Sequence, residues 1–236
     1  MTVRRTKPLI CVRNDSNELD DEAVAKLIPA IQKQVTEHFE PAWGIGARIK
    51  FHEGKYPSHA YVITIKDEDE EDETFLGYHI HNGYPEAFIF AKADMAEDKT
   101  ISETLSHEVL EMLIDPAVNL YAYRPGDTRR PDRGYFYEVC DAVQCQHYRI
   151  DGVKVCNFVY PEWFEHNWKR GSRQFDHLKL LERPFQILPG CYMDVYEAGV
   201  GERTIWGKQH VKRRPRHRRT SRPEFLLHAP QPEVVT

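Results

Sequence analysis

Long apolar runs are missing from this chain of 236 residues. No stretch approaches the roughly 20 apolar residues that a membrane helix needs, so a membrane span is excluded. The opening residues, MTVRRTKPLICVRNDS, are basic but carry only the short apolar patch PLICV. They lack the apolar core of about 7–15 residues that marks a secretory signal, and synthesis and folding in a cytoplasm is the expectation. Cysteine is sparse, with five at positions 11, 140, 145, 156 and 191. An odd and scattered set does not read as a disulfide framework. Cys140, Cys145, His147 and Cys156 are near neighbours in sequence. Their spacing lacks the paired C-x2-C of a structural zinc, so thiols packed beside a hairpin is the simpler reading. No internal repeat is visible.

The chain does hold enough apolar residues (41%, against 29% charged) to bury a sizeable core. Its net charge of −5 is unevenly spread. Residues 208–222, KQHVKRRPRHRRTSR, hold eight Lys or Arg and no acid. Setting those aside, together with the later Glu224 and Glu233, leaves −11 on residues 1–207. An acidic body with a basic arm could bind nucleic acid or an acidic protein surface through the arm, and a solubilising tail is the plain alternative. The seven acids of DEDEEDE, residues 67–73, lack the glycine and alternating spacing of a calcium loop and read as a solvated hairpin tip.

Apolar periodicity orders the rest. Residues 7–13 read as a strand. Residues 20–40 read as a helix, with Val24, Leu27, Ile28, Ile31 and Val35 on one stripe, Asp20 or Asp21 as cap and Pro29 as a point of kinking. Four β-branched or aromatic segments follow, at 47–53, 59–67, 74–81 and 86–93. A second helix begins at the T-x-x-E capping box of Thr100 and Glu103 and stops before Pro116. Beyond it lie hairpins, one across Asp151-Gly152 and another across Pro189-Gly190. The division expected is 1–116, 117–207 and an extended arm at 208–236.

The second helix, ISETLSHEVLEMLIDP, carries the chemistry. On a helical wheel Ile101, Leu105, Val109, Met112 and Leu113 share one face, which should pack on a sheet. His107, Glu108 and Glu111 occupy much of the remainder, looking away from it. Residues i and i+4 lie one turn apart, so His107 and Glu111 can ligate one metal ion. Glu108 lies beside the first ligand, placed to take a proton from metal-bound water. A charged, solvated face is the bland alternative. A catalytic zinc site wants three protein ligands and an open fourth position. In YFYEVCD, residues 135–141, Glu138 or Asp141 can supply the third. The carboxylate-rich set would also suit manganese or iron. His79 and His81 share one face of the preceding strand and read as surface residues, with His81 an unneeded further ligand. That strand is an edge to which a peptide could add by backbone pairing. Phe158, Tyr160, Trp163, Phe164 and Trp168 read as core or an interface.

The element order resembles the zincin fold of metallopeptidases. SHEVLEMLIDP followed by EVCD resembles, more narrowly, a family of zincin-like proteins whose pattern is Ser-His-Glu-x-x-Glu, Asp-Pro and Glu-x-x-Asp. Ser106, His107, Glu108, Glu111, Asp115, Pro116, Glu138 and Asp141 match it, over roughly residues 75–165. CNFVYPEWF resembles the segment that follows, with Cys156-Asn157 where Ser-Asn is usual. The resemblance implies an α+β chain with a mixed, mostly antiparallel-edged sheet on two long helices and a hairpin-rich C-terminal part. It implies zinc on His107, Glu111 and either Glu138 or Asp141, with Glu108 as base, in a hydrolase acting on peptides. Such proteins also occur among those of tailed bacteriophages. A virion-associated assembly protein, contacting other subunits through residues 208–236 and the aromatic segment, is therefore the alternative expectation.

Overall fold

A computed structural model describes residues 7–208, apart from 71, 72, 74, 98, 129, 170 and 172, together with the backbone of 218 and 219. The expected α+β class holds. Strand β1 (Leu9–Asn14) leads into α1 (Asp21–Lys33), whose N-cap Asp20 accepts the backbone N–H of Ala23 at 2.6 Å. The helix runs through Pro29, widens to π geometry over Gln34–Phe39 and resumes as α2 (Glu40–Trp43), 23 residues in all. Gly44, at φ 69°, stops it in a left-handed conformation that a side chain would strain. Strands β2 (Arg48–Phe51), β3 (Tyr61–Lys66), β4 (Gly77–His81) and β5 (Pro85–Phe90) follow, then the short α3 (Ala91–Ala96) and α4 (Ile101–Ile114).

The main sheet has the order β12-β4-β5-β3-β1-β2, where β12 is Arg218–Arg219. β2, β1, β3 and β5 run parallel to one another, and β4 turns back antiparallel to β5. β1 and β3 are therefore buried on both faces and read as near-continuous apolar runs, LICV and YVITI. After α4 come β6 (Tyr121–Arg124), β7 (Arg133–Phe136), β8 (His147–Ile150), β9 (Val153–Cys156), β10 (Tyr192–Glu197) and β11 (Gly201–Trp206). β11, β10, β7 and β6 make a four-stranded sheet, and β8–β9 is a separate hairpin. Asp151 and Gly152 close that hairpin with φ of 50° and 87°, the two left-handed residues of a type I′ turn. One apolar core joins both halves, from Ile10, Ile31 and Ile63 through Val109 to Phe158 and Val195.

Several expectations are corrected. One helical run is long, while the motif helix has 14 residues. Residues 67–73 are not a hairpin tip, because β3 pairs with β1 and β5 and not with β4. The described part of that acidic run is tied down: Asp67 accepts bonds from Ser16 and Asn17, and Glu68 pairs with Lys92. The strand expected over 86–93 ends at Phe90, where α3 begins. The hairpin expected across Pro189-Gly190 lies instead at Ala198–Val200, between β10 and β11. Cys145 is bonded to Cys191, with Cα atoms 6.0 Å apart, so the chain does contain a disulfide. That bond removes Cys145 from the possible zinc cluster, and His147 is turned outward against Glu103 at 3.2 Å. Phe158 and Trp163 are fully buried and Phe164 nearly so, which makes them core and not a contact surface. No helix among the described residues is long and apolar enough to cross a membrane. Apart from Lys208 and β12, the basic arm lies outside the described residues.

Candidate metal centre

Helix α4 is fixed at both ends by its own sequence. Thr100 N–H donates to the Glu103 carboxylate at 2.9 Å, and Glu103 N–H donates back to Thr100 O at 2.8 Å. At the far end Asp115 accepts N–H bonds from Asn119 and Leu120, each at 2.9 Å, which makes the Asp-Pro pair a structural turn. Every residue from Thr104 to Ile114 is buried. The His/Glu face therefore does not look out to solvent. It is covered by β4, by the turn after β7 and by β9. Ser106 pins β9 to this face, its hydroxyl donating to Glu103 O at 2.9 Å and accepting Cys156 N–H at 2.7 Å.

All five site residues expected from sequence meet there. His107 Nε2 lies 3.0 Å from Glu111 Oε2 and 3.4 Å from Asp141 Oδ1. Glu111 Oε1 accepts the N–H of Cys140 at 3.0 Å, which locks the carboxylate toward the turn carrying Glu138 and Asp141. A sixth residue joins them. His79, read from sequence as a surface residue, is buried, with Nδ1 3.4 Å from Glu108 Oε2 and Nε2 4.0 Å from Glu138 Oε2. His81, two residues on, is exposed. The missed signal is Gly77, on the same face of β4 as His79. A Cβ at Gly77 would stand 3.1 Å from Glu108 Oε1 and 2.8 Å from Phe88 O, so only glycine lets the strand press onto α4.

These six residues are at most 6% exposed. Three groups of donor atoms among the described residues are close enough to hold a metal ion: His79/Glu111/Glu138, His107/Glu108/Glu111 and His107/Cys140/Cys156. Tetrahedral ligands with bonds of about 2.0–2.2 Å sit about 3.3 Å from one another, close to the 3.0 and 3.4 Å separations around His107 Nε2. Asp141 Oδ1 is buried without a well-formed hydrogen bond. It faces the same point as the His107 nitrogen.

Four carboxylates and two imidazoles crowded out of water shift one another strongly. Burial lifts the Asp141 carboxyl to about 7, against the pull of His107. Burial also holds Glu111 well above the carboxylate range, helped by Asp141 and Glu138. Burial works to lower His79, but Glu108, Glu138 and Glu111 outweigh it and hold the ring at about 9. His107 is raised in the same way against its own burial, chiefly by the charge of Glu111. On the far side of the His107 ring, Cys156 Sγ is 3.8 Å from Nδ1. Its thiol is pulled down to about 6 by Cys140 and by His107. Cys156 thus stands where a metal-bound histidine usually meets an orienting acceptor. The neighbouring Asn157 is structural: it bonds Asp176 at 2.8 Å, and Asp176 in turn holds the N–H groups of Leu180 and Leu181.

Gly77→Ala is expected to push β4 back from Phe88 O and from α4, carrying the Glu108 carboxylate and His79 off their positions. The expected result is at least a tenfold loss of metal affinity, since misplaced supporting groups typically cost about 10–100-fold. Metal titration of the two proteins checks it, with equal affinity as the contrary result. No family model, characterised protein or solved structure matches this chain.

Proposed function

We propose that this chain is a metal-dependent hydrolase of the metallopeptidase type, built on a zincin-like scaffold. The observation that supports it is the burial of two histidines and four carboxylates around one point of α4. Zinc suits the histidine pair, and manganese or iron suits the carboxylates. Glu111 and Asp141 approach His107 Nε2 most closely, at 3.0 and 3.4 Å, with Glu138 and His79 beside them. When bound, the ion would polarise a substrate carbonyl and lower the pKa of water.

The protein's own groups supply the rest. Glu108 sits next to a ligand in sequence and one step round the helix from it, so its carboxylate can hold and pass on a proton. His79 Nδ1 faces that carboxylate and steadies it. β4, lying on α4, is the strand along which an extended peptide would pair in place of Arg218–Arg219, which takes that edge in parallel register against Tyr78 and His79.

The same burial also favours a second reading: a retained structural metal in a non-catalytic assembly protein, such as a virion component. Turnover separates the two. Full-length protein is expected to cleave an unfolded polypeptide, to stop in chelator and to resume when zinc or manganese is returned. Metal-loaded protein that cleaves nothing would point to the assembly role.

A further inference from the structure

The geometry points to two divalent cations in this pocket, bridged by Glu111, one held by His107 and Asp141 and the other by His79 and Glu138. The inference rests on the metal-centre reading above and changes its stoichiometry. His107 and His79 approach the pocket from different elements, α4 and β4, and each has its own carboxylate. Asp141 lies 3.4 Å from His107 Nε2, and Glu138 lies 4.0 Å from His79 Nε2. Glu111 belongs both to the group with His79 and Glu138 and to the group with His107 and Glu108, while Asp141 enters by its approach to His107 Nε2 at 3.4 Å. Its Oε2 is 3.0 Å from His107. Its Oε1 accepts the Cys140 N–H and keeps a second lone pair. A carboxylate so placed can span two ions about 3.5–4 Å apart, the spacing of paired-metal sites. Each ion then has three protein ligands and an open position.

Glu108 stays outside both ligand sets. Facing His79 Nδ1 at 3.4 Å, it fixes the tautomer that turns Nε2 toward an ion. The thiol of Cys156 lies on the Nδ1 side of His107 and orients it, and the Cys140 thiol reaches the His107 backbone oxygen.

Metal-stripped full-length protein titrated with manganese chloride, desalted and measured by elemental analysis and electron paramagnetic resonance tests this. The expected result is two equivalents of manganese with the exchange-coupled spectrum of a bridged pair. His79→Ala and Asp141→Ala should each drop uptake from two equivalents to one and abolish the coupling. One equivalent in the unaltered protein overturns the pair and leaves a single centre standing. No uptake overturns both readings. Two uncoupled equivalents overturn the Glu111 bridge. If a variant fails to fold by circular dichroism, the coupling in the unaltered protein decides alone.

Discussion

Glu108→Gln is expected to fold normally, to carry as much metal as the unaltered protein and to lose turnover by about 10²–10⁴-fold, the usual contribution of a positioned general base. The amide keeps the size of the carboxylate, so the close approach of Gly77 is preserved. It cannot take up a proton, so the loss should fall on kcat with KM nearly unchanged. Elemental analysis beside the kinetics makes the result decisive. A variant that loses its metal would make Glu108 a ligand. A variant that keeps its full rate would remove it from the chemistry.

Removing the Cys145–Cys191 bond, by Cys145→Ser together with Cys191→Ala, is expected to lower the unfolding free energy by about 4 kcal/mol. That is the loop-closure value for the 46-residue separation it spans. The bond ties the turn that carries Asp141 to the start of β10, beside the Leu188 N–H to Ala142 O bond of 3.0 Å. Denaturant unfolding with and without reductant reads it directly. Reduced unaltered protein should fall to the midpoint of the variant. Unchanged midpoints would show that this bond does not hold the folded state together.

Local signals made much of the fold legible in sequence. The capping box at Thr100, the Asp151-Gly152 turn and the apolar stripe of α1 each act within a few residues, and each is realised in the structure. What depended on distant pairing was not legible. Residues 67–73 are bounded by two strands and so read as a hairpin. Only the parallel pairing of β3 with β5 shows otherwise. The strand signal of EAFIFAKA runs past Phe90 because alanine and lysine serve equally in α3. Cys145 and Cys191 carry no spacing motif that would join them.

The site divides in the same way. His107, Glu108 and Glu111 are linked by helical spacing, and Glu138 and Asp141 by a pattern a few residues long. All five meet, Glu138 beside His79 and Asp141 beside His107. His79 was missed because a histidine on a strand gives no hint of what packs over it. The covering element is α4, brought there by the turn back from β5. The helical wheel was equally silent about β9 and the Cys140 turn, which bury the polar face it turned away from the sheet.

The account stands or falls on an ion among His107, Glu111, Asp141, Glu138 and His79. The most direct measurement is anomalous diffraction at the zinc and manganese edges, on crystals of protein purified without chelator. The expected result is a peak about 2.0–2.3 Å from His107 Nε2 and from a Glu111 oxygen. A map without such a peak, with His107 and Glu111 still in direct contact at 3.0 Å, would contradict it.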